Sequence, residues 1–174
     1  MNEKNISKEM EVLIEIYRLF YHENPNFCDK NINIKIQSMM VILLYFGVSF
    51  GSDYGFHFLE EKRIPISSNL QDDIKNLYQI GEVTDNKFIE LSKDNKRIIK
   101  IVSDILFKET LDFNDTIDLT TSVSQVIYAR EYCLQTGVGT QEIAHFLNLP
   151  VEEVEKNSQL VKQIENKFPF FSNR

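Results

Sequence analysis

The chain has 174 residues, 43% hydrophobic and 26% charged, enough for one domain with a sizeable core. A formal net charge of −7 and a pI near 5.0 argue against a protein whose main task is to coat nucleic acid or anionic lipid, since both need a positive field. Only Cys28 and Cys133 occur, with no CxxC or Cys/His neighbourhood, so two reduced structural thiols are expected and no metal or cofactor.

The start, MNEKNISKEMEV, has no basic segment followed by an apolar core. The longest apolar run, 39–46, is far short of the roughly 18 residues a bilayer span needs. A soluble, cytoplasmic protein without membrane contact is the expectation.

Ser7 is placed to cap a first helix, in which Met10, Leu13, Ile14, Tyr17 and Tyr21 recur at helical spacing. NPNFCDKNIN has the composition of a loop. IKIQSMMVILLYFGV is apolar nearly all round, which predicts a helix at the centre of the core, ended by Gly47 and Gly51. Tyr54, Phe56 and Phe58 then fall two apart, the period of a short strand with one aromatic face, and EEKR reads as its turn.

Pro65 disfavours helix at Ile64, and Ser67 or Ser68 offers an oxygen to cap the next helix. Asp72 and Asp73 are expected in its first turn, where the helix dipole favours anions. They are not read as a catalytic pair, because adjacent helical residues point about 100° apart. Leu70, Ile74, Leu77 and Tyr78 form the buried stripe, closed by Gly81. EVTDNKFIEL supplies a second strand at 88–91.

From Lys93 the chain is helical again, with Ile98, Ile101, Val102, Ile105 and Leu106 in KRIIKIVSDILFK, until TLDFNDTID interrupts it. LTTSVSQVIYAREYCLQ reads as a long helix and GVGTQ as a turn. EIAHFLNL follows as a short helix capped by Thr140, and PVEEVEKNSQLVKQIENK as a last one with Pro150 in its first turn. The fold expected is mainly α: one compact helical domain, 1–174, with a small β-wing at 54–58 and 88–91. Its N-terminal part, 1–91, is winged-helix-like, and its C-terminal helical part, 93–167, ends in a tri-helical unit.

TQEIAHFLNLPVEEV has the spacing of a helix-turn-helix core, whose last helix can enter the DNA major groove. That helix would present Glu152, Glu153 and Glu155 where base contacts are made, and carboxylates repel phosphate. A DNA-binding regulator is therefore the alternative reading, with nucleic acid disfavoured as partner. His22, His57 and His145 occur in no HxxxH or HExxH spacing. His57 could project beside Asp53, but no nucleophile motif accompanies it and no catalytic residue is assigned. GVGT lacks the lysine of a phosphate-binding loop. In the tail KFPFFSNR, Phe168, Phe170 and Phe171 would be costly to leave in water, at about 25 cal/mol per Å² of apolar surface. They dock on the protein's own core, or on a partner or second copy, since aromatics anchor interfaces.

Pro65, Ser67, Leu70, Asp73 and Ile74 in IPISSNLQDDI resemble the G-P-Y-S-x-x-L-x-x-D-I signature of YwgA-like proteins and the related Panacea domains. Upstream, IQSMMVILLY is similar to the family's L-Q-K-L-x-Y-L-L helix, with Gln37 in place, and GSDYGFHF to its G-Y-x-F segment. Downstream, LTTSVSQVIYAREY and TQEIAHFLNLPVEEVEKNSQLVKQI are similar to its terminal helices. Ile64, Ile66 and Ser38 stand where the family has glycine, tyrosine and lysine. The resemblance implies a bacterial, winged-helix-like protein that works by binding another protein, as Panacea antitoxins do.

The function expected is thus a non-enzymatic protein-interaction module of antitoxin or defence-accessory type. Its partner is a protein encoded nearby or a second copy of the chain. The expected anchors are Tyr54, Phe56 and Phe58 on the wing and Phe168, Phe170 and Phe171 on the tail, with Gln37, Pro65, Ser67, Leu70, Asp73 and Ile74 as structural motif residues.

Overall fold

The computed structural model describes residues 7–50, 53–59, 63–79, 89–108, 113–134 and 137–171, the side chains of 113–117 excepted. Helices α1 (Lys8–Tyr21) and α2 (Ile32–Tyr45) precede strands β1 (His57–Leu59) and β2 (Ile64–Ile66). Then come α3 (Ser68–Tyr78), α4 (Lys93–Lys108), α5 (Phe113–Tyr128), α6 (Thr140–Leu147) and α7 (Val151–Glu165). Five residues of π-helix, Ala129–Cys133, extend α5, and a 3-10 turn, Pro169–Phe171, follows α7. The described part of the molecule is therefore mainly helical with one small antiparallel sheet.

The helices start and stop where side chains can satisfy free backbone groups. Ser7 Oγ accepts the Met10 N–H at 3.3 Å and opens α1. α2 runs through the centre: Ile32, Ile36, Met39, Met40, Ile42 and Leu43 are all fully enclosed, and it packs chiefly on α5. Because this helix is apolar on every side, only burial on every side suits it. It ends at Phe46, and Gly47 follows at φ +90, a conformation that costs glycine nothing.

The wing differs from its sequence reading. β1 pairs with β2, placing His57 opposite Ile66, Phe58 opposite Pro65 and Leu59 opposite Ile64. The second strand is thus the proline segment of the motif, whereas Ile89, Glu90 and Leu91 have no strand structure and Phe88 lies outside the described residues. Proline suits this place because an antiparallel pair without mutual hydrogen bonds needs no N–H from it. The connection falls within EEKR, where Arg63 takes φ 51 and its N–H bonds the Leu59 carbonyl at 2.8 Å. Leu91 is buried as a core side chain instead.

Other boundaries shift by physical detail. α3 begins at Ser68, so Asp72 and Asp73 fall beyond its first turn, and Tyr78 is 41% exposed rather than part of the buried stripe. α5 already starts at Phe113, so FNDTID belongs to a helix. α6 has Gly139 at its cap position with no side-chain bond, and Pro150 occupies the cap position of α7. Gly51 and Gly81 lie outside the described residues.

Two hydrophobic clusters result among the described residues. The larger unites α1 to α5 and α7. The smaller consists of Val126 and Ala129 with Ile143, Ala144 and Leu147 of α6 and Val154 of α7, and Phe58 of the wing packs onto it. No helix among the described residues is long and apolar enough to cross a membrane.

Candidate functional site: an aromatic surface between wing and helices

The motif residues are the scaffold of the wing. Gln37 on α2 donates from Nε2 to the Ser67 carbonyl at 3.2 Å, and its Oε1 accepts the Ser67 N–H at 2.9 Å. Thus fixed, Ser67 caps α3, its Oγ accepting the Leu70 N–H at 3.3 Å. Pro65, Leu70 and Ile74 are buried, and Asp73 accepts a 3.0 Å bond from the Tyr54 hydroxyl. Each of the six has a packing or hydrogen-bonding task, and Asp72 pairs with Lys75 at 2.9 Å on the surface.

The three wing aromatics do not share one face. Tyr54 is buried against Asp73, and Phe56 packs on the main core while its carbonyl accepts the Tyr128 hydroxyl. Phe58 alone joins a surface ladder. Its ring meets Tyr128 edge-on at 4.8 Å and Phe146 at 5.6 Å, and the Arg63 guanidinium lies 4.9 Å from the Phe146 centroid. Tyr128 in turn stacks on Tyr132 at 5.1 Å with 29° between the rings, and Tyr132 is 64% exposed. Such contacts favour offset or edge geometries because the ring quadrupole has a negative face and a positive rim.

The π-helical turn sets the end of this ladder. Widened turns of this kind occur mostly as single-turn bulges in α-helices and are frequent at functional sites. Arg130, at its second position, donates from one terminal nitrogen to the Tyr45 hydroxyl at 2.6 Å and to Glu165 Oε1 at 2.7 Å, and from Nε to Glu131 at 2.8 Å. Tyr45 also donates to Glu165, so α2, the π-turn and α7 meet in one polar knot. Burial and the Glu165 carboxylate push the Tyr45 hydroxyl pKa up, keeping it a protonated donor.

The tail divides between core and surface. Phe168 is buried on Phe46 with ring centroids 5.8 Å apart, and Phe171 packs on Tyr45 and Phe46 at 5.2 and 5.6 Å. Phe170 lies against Phe168 and Phe171 yet remains 55% exposed. Docking on the chain's own core accounts for two of the three.

A polar cluster that the sequence did not disclose joins α1 to the start of α2. Lys35, 3% exposed, has Asp29 at 3.3 Å and Glu23 at 3.6 Å, and the Tyr17 hydroxyl donates to Glu23 at 2.8 Å. No signal short of the three-dimensional contact would have paired these residues.

The remaining reactive side chains are dispersed. His22 Nε2 is 3.1 Å from Ser103 Oγ, while His57 and His145 are exposed on β1 and α6. Cys28 and Cys133 are free and exposed, and partial burial of the Cys133 thiol raises its pKa with Arg63 acting against it. No group of three or more His, Cys, Asp or Glu able to hold a metal occurs among the described residues. α6 and α7 pack together as the helix-turn-helix spacing suggests, and Glu152 and Glu155 are exposed at the start of α7.

No family model, curated protein or solved structure matches the chain.

Sequence reading found Phe58 but missed Tyr128, Tyr132, Phe146 and Arg63. Tyr128 and Tyr132 stand four apart in VIYAREYC, which does signal a shared helix face. Their link to the wing depends on tertiary packing.

Proposed function

We propose that the protein is a non-enzymatic interaction module of bacterial antitoxin or defence-accessory type, acting by binding a partner protein. The observation that carries this reading is the ladder ending in Tyr132, a large aromatic ring held 64% exposed by stacking on a fixed neighbour. Rigid, exposed aromatics bordered by arginine are the residues that dominate binding energy at protein interfaces. The likeness of IPISSNLQDDI and its flanks to YwgA-like and Panacea proteins supports the same reading.

The alternative, a regulator that reads DNA through α6 and α7, has the paired helices in its favour and the charge against it. Its reading helix would bring Glu152 and Glu155 toward phosphate.

The test is affinity capture of the tagged chain from its native host, with Tyr132→Ala beside the unaltered protein. A stoichiometric protein partner lost in the variant, at unchanged melting temperature, is the expected result. Recovery of the chain alone and monomeric, or turnover of a metabolite by the purified protein, would overturn it.

A further inference from the structure

We propose that α4 forms a second, independent surface: a cationic strip that docks the phosphate backbone of a nucleic acid. Lys93, Arg97, Lys100 and Lys108 succeed one another at intervals of three, four or eight residues, so they lie in one row along the helix, with Lys96 flanking it. All five are exposed, and among the described residues none has an ion-pair partner. From Lys93 to Lys108 the row extends about 22 Å at the helical rise of about 1.5 Å per residue. Asp94 and Asp104 are the helix's acidic residues. Five cations against two carboxylates leave α4 positive on a chain whose net charge is −7.

The strip does not end on a bare helix. Lys108 opens into a cleft of about 340 Å³ that it lines with Ile105 of α4, Gln163 of α7, and Asn166 and Lys167 just beyond. A second ammonium and two side-chain amides there offer donors to an anionic oxygen.

Folding stability does not account for the arrangement. Lys93 and Lys96 stand in the opening turn of α4, where the helix dipole disfavours cations, and among the described residues neither has an ion-pair partner. Positions that break a local rule without local compensation are where function is expected. The occupant follows from what the strip lacks. Among the described residues the exposed large hydrophobics, Leu59, Tyr78, Tyr132 and Phe170, are all on other elements. A protein interface needs desolvated anchors, whereas phosphate binding needs only closely spaced cations that release counterions. Contacts of lysine and arginine to phosphate oxygens position a duplex without reading its bases, so the docking is independent of sequence.

A labelled short duplex of mixed sequence, titrated with the full chain, tests this. Binding should be measurable at low salt and weaken by roughly 100-fold between about 50 and 200 mM, the slope for about four phosphate contacts. The triple variant Lys93→Glu, Arg97→Glu, Lys100→Glu should bind at least about 10-fold more weakly at fixed salt. A charge-matched control, Lys8→Glu, Lys75→Glu, Lys156→Glu, alters exposed lysines elsewhere and should stay within about 3-fold. Circular dichroism checks that both fold, and Arg97→Glu alone, with a smaller loss in the same direction, serves if the triple variant does not. Absence of binding at low salt, or equal weakening by the two triple variants, overturns the proposal. Tighter binding of polyglutamate than of duplex would reassign the strip to an acidic protein and overturn it as well.

Discussion

Gln37 and Ser67, 30 residues apart in the chain, exchange two hydrogen bonds through one side-chain amide, and this pair joins the central helix to the wing. Both groups are buried, so neither the Ser67 N–H nor its carbonyl has water as a substitute partner. Gln37→Leu should therefore cost about 2 to 3 kcal/mol, more than Ser67→Ala, which removes one capping bond worth about 1 kcal/mol. Urea denaturation of the two variants checks the order. A smaller loss in Gln37→Leu would mean that the cap, not the amide pair, holds the wing.

Around Lys35 the pH dependence has a definite sign. Burial alone would raise the Asp29 carboxyl, but the Asn31 N–H and the Lys35 ammonium outweigh it and lower its pKa below 3.8. A carboxyl depressed in the folded state contributes stability above its unfolded pKa and loses that contribution as pH falls through the folded value. Asp29→Asn should thus be less stable by about 1 kcal/mol near neutrality. Its stability should also fall less steeply than that of the parent below about pH 4. Urea midpoints across the acid range would show it, and parallel acid limbs would refute the pairing.

Asn157 on α7 is 1% exposed, and its Nδ2 has no hydrogen-bond partner among the described residues. A buried donor without an acceptor costs its full desolvation, so an apolar side chain of similar shape is favoured. Asn157→Leu should raise stability by about 1 kcal/mol, read as a higher thermal midpoint. Destabilisation instead would show that the amide has a bound acceptor, such as an internal water.

The two aromatic clusters should respond differently to truncation. Phe58→Ala removes a half-buried ring from contacts with Tyr128 and Phe146 and should cost about 2 to 3 kcal/mol. Phe170→Ala, at 55% exposure, should cost less than about 0.5 kcal/mol. Calorimetry on both variants separates core from surface, and a large loss at Phe170 would place the tail among the core elements.

The helices and the caps at Ser7 and Ser67 were legible because capping and amphipathic spacing are local. The wing was half legible. Tyr54, Phe56 and Phe58 alternate as a strand does, yet the chain sends them to three environments, since Asp73, the α2 core and α6 are brought there by tertiary packing. The strand partner was misplaced at 88–91 because Pro65 reads only as a residue that disfavours helix at Ile64, not as part of a strand. In the structure that proline sits opposite Phe58, where its missing N–H matters least. Nor did any periodicity announce the π-turn, which depends on Arg130 finding Tyr45 and Glu165 from two other helices. Of the ladder only the four-residue spacing of Tyr128 and Tyr132 was visible, since its link to Phe58 and Phe146 is made by tertiary packing.

The division of the core into two clusters bears on how the molecule breathes. α6 contributes Ile143, Ala144 and Leu147 only to the smaller cluster, whereas α5 and α7 feed both. Local opening free energy follows the apolar contacts that must be given up, so a short helix with one satellite contact surface opens well below the global unfolding limit. The amides of α6 should exchange with deuterium sooner than those of α2, whose side chains are enclosed on every side. Phe58 and Phe146 ride on that same loosely held unit. A ligand gripping the ladder would therefore be read out as slowed exchange in α6, a footprint that appears even when the overall backbone does not move.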